Sequence, residues 1–344
     1  MKCLPDFKPK FYVTYDNQAV MDGVGAQLQR IVSVFGVSKK ARVGYLHSGL
    51  KEVGMEPFLS KTILEREAEI DEWNQLFRSD LVVFNKLPTD RLVNPKRISI
   101  FRLRVLCFFS RFSRFRVVCQ LAEPRLISDK YPECLLNTPD MLSPKVARII
   151  AEAPQTEFTI VVHIRQGVLV LSQFKDRLLP LSSYEKILQH LVPFLERTNT
   201  KYKILIPREN GQGNRIPVTD SKVTESIALD PKNKNLDFTK DGYVTLIQEE
   251  PSIEITPILS QATWLPEESS YSDFCRMIQA DLLIVSKSSF SFVAGLFNGE
   301  SIKIYTPFWH TAPISWIDAN QLETSSYSAK FECILGSKIK KFLS

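Results

Sequence analysis

Two stretches of this chain leave little freedom in how it folds. Phe158-Thr-Ile-Val-Val-His-Ile164 and Leu282–Val285 are near-continuously apolar, and a strand apolar on both faces must be covered on both, as in a parallel sheet between helices. Around them the pattern alternates. Tyr184 to Leu195 reads as a helix, Tyr202 to Ile206 as a strand, and Ser272 to Gln279 and Phe290 to Phe297 as helices. Strands alternating with helices predict a doubly wound α/β domain with ligands at the carboxyl ends of its strands.

The texture changes near Glu157, and 344 residues are long for one core. Two lobes are expected, residues 1–155 and 156–344. In the first, Phe11 to Tyr15 reads as a strand, Gln27 to Phe35 as a helix carrying Leu28, Ile31, Val32 and Phe35 on one face, and Leu81 to Phe84 and Arg116 to Leu121 as further strands. The polar stretch Asn210 to Lys240 reads as a surface insertion.

Composition narrows the function classes. A hydrophobic share of 44% with 24% charged residues is that of an ordinary globular protein. A net charge of +6 is too small an excess for a dedicated nucleic-acid binder and suits small anionic ligands. The six cysteines lack C-x-x-C spacing and are expected as reduced, mostly buried thiols. The four histidines (His47, His163, His190, His310) are dispersed, so no metal site is expected. The first residues show neither a signal-peptide pattern nor a long apolar run, so the expected compartment is the cytoplasm.

Ile98 to Phe115 stands apart, interleaving Arg102, Arg104, Arg111 and Arg114 with Phe101, Phe108, Phe109, Phe112 and Phe115. The expected placement is a helix with its rings inward and its arginines solvated. The alternative is peripheral contact with anionic membrane lipid.

Three short motifs carry chemistry. Asp22-Gly23-Val24-Gly25-Ala26 lies between the first strand and helix, where backbone amides and a positive helix terminus can approach a phosphate, although an ordinary loop has the same makeup. His163-Ile164-Arg165 ends the buried strand, with both polar side chains on one side of the pleat. An arginine there can clamp a pyrophosphate in bidentate fashion or serve an ion pair between lobes. Ser286-Lys-Ser288-Ser289-Phe290-Ser291 opens the last helix, as a phosphate cradle or simply an N-cap. Asp273 stands shortly upstream and can accept two N–H donors from a guanine edge, or lie in solvent.

Taken in order, these motifs resemble those of the α-1,2-fucosyltransferase family, which uses GDP-fucose. Gly23, Gly25 and Gln27 match its Gly-Gly-Leu-Gly-Asn-Gln, and His163, Arg165 and Gly167 match its His-x-Arg-Arg-Gly-Asp. Asp273 to Ser291 is similar to its final block ending in Asn-Ser-Thr-Phe-Ser-Trp-Trp. Gln166, Val168, Phe292, Val293 and Ala26 depart from the pattern. The resemblance implies a GT-B-like fold of two Rossmann-like lobes facing a central cleft, with the donor in the second lobe and a glycan acceptor, lipid- or protein-linked, facing the first.

It further implies inverting transfer of a sugar, fucose first, from GDP-fucose. Gly23, Gly25, Gln27, Arg165 and Ser288 to Ser291 are expected at the diphosphate, His163 and Asp273 at the nucleoside, with Arg165 the catalytic cation. No Asp-x-Asp occurs in the chain, so metal-independent transfer without a cofactor is expected. No general base is assigned; Glu123, Asp176 and Glu185 are the carboxylates near matched segments. Two alternatives stay open: a different GDP- or UDP-sugar, and a catalytically silent nucleotide- or glycan-binding protein.

Overall fold

The structure, a computed structural model, describes residues 10–15, 23–51, 63–88, 90–95, 98–151, 156–165, 177–207, 215–217, 236–238, 243–246, 257–266 and 269–343. It has the expected α/β class, with two parallel sheets in succession. The first has the order β2-β1-β4-β3, from β1 (Phe11–Tyr15), β2 (Gly44–Tyr45), β3 (Arg91–Val93) and β4 (Val117–Leu121). With it go α1 (Val24–Ala41), α2 (Ile63–Asn74), α3 (Ile100–Ser110), α4 (Arg125–Ser128) and α5 (Pro144–Ala151).

The second sheet is built from β5 (Phe158–Val162), β6 (Tyr202–Ile206), β10 (Thr263–Trp264), β11 (Leu282–Val285), β12 (Ile302–Tyr305) and β13 (Ile317–Asp318). Its order is β10-β6-β5-β11-β12-β13, parallel throughout. Helices α6 (Leu181–Arg197), α7 (Ser270–Gln279), α8 (Ser289–Phe297) and α9 (Ser325–Leu343) accompany it. From β5 the chain steps outward through β6 to β10, then returns to β11 and steps the other way. The strand order therefore reverses between β5 and β11, and the crevice beyond their carboxyl ends is where such sheets bind ligands.

The apolar runs form central strands because both of their faces are covered. Successive side chains alternate across the pleat. Phe158, Ile160, Val162, Leu282 and Ile284 pack into one core with α6 and α9. Val161, Leu283 and Val285 face a second core that also takes in α7, α8, α1 and the first sheet, including Leu28, Ile31, Phe11 and Val13. The two sheets are thus joined by one continuous apolar layer, in which α1 packs against α8.

Several expectations change. Leu81 to Phe84 is no strand: it makes a single bridge, Val83 to His47, and while Leu81 packs against the core, Val82 and Val83 are exposed. Helix α1 runs past Phe35 to Ala41, where Arg42 ends it in the left-handed conformation at φ 59°. Gly36 is needed in it because a Cβ would meet the Cys134 carbonyl oxygen at 2.6 Å. The rings of Ile98 to Phe115 do not turn inward: Phe101, Phe108, Phe109, Phe112 and Phe115 are exposed, while Ile100, Leu103 and Ser110 form the buried face of α3. Within Asn210 to Lys240, β7 (Arg215–Pro217) and β8 (Leu236–Phe238) pair antiparallel with β9 (Tyr243–Leu246), and the rest of that stretch lies outside the described residues. Among the described cysteines, Cys119 and Cys134 are buried, Cys107 and Cys275 half-buried and Cys333 exposed, all as free thiols.

Candidate functional site

The three motifs meet at the reversal point of the second sheet. β5 and β11 are hydrogen-bonded neighbours, and the pairing continues past their ends, with the His163 amide donating to the Ile284 carbonyl at 3.1 Å. Residues leaving both strands therefore face each other. His163 Nδ1 lies 2.6 Å from Ser286 Oγ, both buried. Two residues further along each strand, Arg165 Nη1 donates to Ser288 Oγ at 2.9 Å. The same oxygen accepts the Phe290 amide at 3.2 Å, so Ser288 is the N-cap of α8 and also the seat of the arginine.

The first motif arrives from the segment between β1 of the first sheet and α1. A Cβ at Gly25 would lie 2.5 Å from the Phe290 backbone nitrogen and 2.6 Å from its Cα, so the opening turn of α1 rests on the opening turn of α8. A methyl group would separate them; this close approach is what requires glycine. Gly23 caps α1 at φ −59°, and a Cβ there would meet nothing within 4 Å. Gln27 is buried.

Two helix N-termini, each carrying a positive partial charge, therefore converge with the Arg165 guanidinium. Like poles brought together in a packed protein favour an anion between them. Two buried imidazoles stand beside them. Burial first, then the charge of Arg165, lowers the His163 pKa to about 3. His310 is also lowered to about 3, by burial first and then by Arg125 and Arg177. Both rings are neutral near pH 7, which suits hydrogen bonding and unfits them as general bases.

His310 is the residue that sequence reasoning missed. Its Nε2 lies 2.8 Å from Ser289 Oγ and accepts the Trp309 indole N–H at 2.9 Å. Because an indole only donates, the ring proton belongs on Nδ1, which has no hydrogen-bond partner among the described residues. The Arg177 guanidinium stacks 4.5 Å over the Trp309 ring, bringing a further cation to this side. No spacing rule marks these residues; they arrive from the segment after β12 and from the segment before α6. Ser286 stood at the head of the serine run, and only the strand pairing shows that it holds His163.

The remaining predicted residues are placed as follows. Ser291 is buried with its hydroxyl 3.4 Å from that of Ser286. The Phe290 ring packs among Phe274, His163 and Trp73 at centroid distances of 5.3, 5.9 and 6.0 Å. Asp273 is buried in the first turn of α7, 3.7 Å from Arg276 Nη1. Of the three carboxylates, Glu185 is buried and accepts the Ile258 amide at 3.4 Å, Asp176 lies outside the described residues, and Glu123 borders a hollow. That hollow has a volume of about 480 Å³ and sits at the carboxyl end of β4, between Leu121, Ala122, Leu126 and Lys130. Pro95 and Ile98, from the segment that follows β3, close its other side. Among the described residues there is no group of three or more histidines, cysteines or carboxylates able to hold a metal.

No family model matches the chain. No curated protein matches it either. Among solved structures, the apo form of POFUT1 aligns with 11% identity and a TM-score of 0.42, over 88% of this chain and 99% of that one. POFUT1 in complex with GDP-fucose aligns with 11% identity and a TM-score of 0.41, over 89% and 100%. A FUT1 mutant of Arabidopsis thaliana in complex with GDP gives 12% identity and a TM-score of 0.37, over 90% and 73%. At these scores the superposition is loose, and the chemistry of the site rests on its own geometry.

Proposed function

We propose that this protein is a glycosyltransferase that takes a sugar, fucose first, from a GDP-linked donor and passes it to a glycan hydroxyl. One observation carries the reading: the N-termini of α1 and α8 converge with Arg165 at the strand-order reversal of the second sheet. A nucleoside diphosphate is the anion that suits such a crevice in an α/β sheet. Ser288 fixes the guanidinium in place beforehand, so its fork meets the negative charge that develops on the leaving diphosphate without reorganising. His163, held by Ser286, and Asp273 line the nucleoside side in this reading.

The acceptor belongs in the β4 hollow, with Glu123 as the base that takes the proton of the attacking hydroxyl. Attack on the face opposite the diphosphate inverts the sugar carbon through an oxocarbenium-like transition state. The fixed cations and helix termini take the part that a metal plays in other transferases, so donor binding is proposed to be independent of divalent ions.

The experiment is a thermal-shift panel of GDP, UDP, CDP and their sugars, with and without EDTA. GDP compounds should raise the melting temperature in both conditions, since a ligand that binds only the folded state stabilises it. A larger shift with UDP rejects the GDP assignment, and loss of the shift on chelation rejects the metal-free part. Stabilisation without donor hydrolysis or transfer to any glycan identifies a binding protein instead.

A further inference from the structure

Helix α3 buries one side and turns a second apolar side to solvent. At about 100° per residue, Phe101, Val105, Phe108, Phe109 and Phe112 fall on one outward face, flanked by Arg102 on one side and by Arg104 and Arg111 on the other. Phe101 and Phe112 are 75% and 77% exposed, and Phe109 63%. Such a cluster of exposed rings is costly in water and unusual on a soluble surface unless something covers it. The rings stack edge to face, Phe108 against Phe109 and Phe112, as one raised patch.

The chain segment that carries the patch has charge of one sign. Between Asp90 and Glu123 the chain holds no acidic residue. On one flank, Arg42, Arg104 and Arg111 line a hollow of about 440 Å³ together with Ala41, Cys107 and Phe108. Arg104 is fixed there by donating to the Lys40 carbonyl at 2.8 Å, and Arg42 is held in its left-handed conformation at the end of α1. Arg114 and Lys10, the latter bonded to the Ser113 carbonyl, extend the basic rim past the end of the helix.

We propose that this face docks on an anionic phospholipid bilayer, with the phenylalanines entering the interface and the arginine-lined hollow taking a lipid phosphate. Rings at the centre with arginines at the border are the arrangement in which apolar burial and attraction to anionic head groups act together. A helix lying in the interface is the geometry available, because among the described residues no helix is long and apolar enough to cross a membrane. The proposal stands on α3 and its surroundings and requires nothing of the transferase reading.

The test is flotation of the full chain with vesicles of phosphatidylcholine alone and of phosphatidylcholine mixed with phosphatidylserine. Binding is expected to the mixed vesicles only, and to fall as salt rises toward 1 M and the Debye length shrinks to about 3 Å. Each basic residue near such a surface contributes about fivefold in partitioning, so Arg111→Glu with Arg114→Glu should weaken binding by roughly 25-fold or more. Phe108→Ser with Phe112→Ser should abolish it while the melting curve stays that of the parent. Phe112→Trp leaves the patch apolar, and its emission should shift to the blue on adding the mixed vesicles. Failure to float at low salt, or equal binding by the double glutamate variant, overturns the proposal. So does a soluble dimer that the serine variant dissolves, or stabilisation by inorganic phosphate without flotation, which would assign the hollow to a free anion.

Discussion

Replacing Gly25 by alanine tests the contact on which the whole site is hung. The added methyl group would lie 2.5, 2.6 and 2.9 Å from the N, Cα and Cβ of Phe290, where ordinary contact is 3.4–4 Å. Two of the three are backbone atoms at the start of a helix whose other residues, Ser291 to Phe297, are buried. The methyl cannot be accommodated by turning a side chain aside; α1 and α8 must part by about an ångström. Overpacking of this kind costs about 1–3 kcal/mol, and the better helix propensity of alanine offsets at most about 1 kcal/mol. A net loss of about 1–2 kcal/mol in urea unfolding is expected. Gly23→Ala is the control: its Cβ meets open space and its φ of −59° suits any residue. That change should stay within about 1 kcal/mol, the scale of an N-cap change. Because the displaced turn carries Ser288, the GDP-induced thermal shift should also shrink in Gly25→Ala. A Gly25→Ala protein that unfolds at the parent's urea midpoint would show that the helices have slack, and would remove the argument that their close approach builds the site.

Arg165→Ala should lower turnover by about a hundredfold to a thousandfold with the fold intact, because the guanidinium acts on charge that develops in the transition state. Lysine should restore only part of it, lacking the planar fork, and Ser289→Ala should be milder because backbone amides remain; sugar transfer or donor hydrolysis beside a melting curve reads all three, and parental turnover in Arg165→Ala removes that residue from the site. Glu123→Gln should cut transfer by about a hundredfold or more while leaving the GDP thermal shift unchanged; equal loss of both would make Glu123 structural. Stability should fall as pH drops from 7 to 5: His47, lowered by burial to about 4, and His163 and His310, lowered to about 3, stay neutral in the folded state while the unfolded chain takes up protons below pH 6.5. The unfolded state then binds more protons, so each histidine removes on the order of 2 kcal/mol by pH 5; a flat urea-unfolding free energy across that interval refutes their burial as neutral groups.

The elements legible in advance were those whose residues answer to their own neighbours in sequence. β5 and β11 were readable because runs apolar on both faces admit few placements, and the structure covers one face of each with α6 and α9 and the other with α7 and α8. The helix after β11 was readable from a serine run before an apolar stretch, and Ser288 does cap it. Helix α2 was not, because its exposed face is polar and rich in glutamate; it is held by Trp73, which stacks on Tyr271 and Phe274 some two hundred positions away. Leu81 to Phe84 misled for the converse reason, an apolar run whose middle residues, Val82 and Val83, are left exposed.

The sequence by itself determined the α/β class, the central strands of the second sheet, and the residue types that a phosphate-binding crevice draws on: paired glycines, an arginine at a strand end and serines at a helix start. It left open whether Gly25 serves a ligand or a neighbour, and which way the rings of α3 face. Tertiary structure decided both. Close approach depends on which helix comes to lie against another, and α8 reaches Gly25 across 265 residues of chain to place Phe290 on it. In α3 the apolar residues circle the whole helix, so periodicity cannot choose a buried side; packing against α1 and the first sheet takes Ile100 and Leu103 and leaves the phenylalanines outside. His310 shows the same limit at the site itself. Its position beside Ser289 comes from the order of strands in the sheet, and strand order is set by the packing of the whole chain, which no local pattern of residues records.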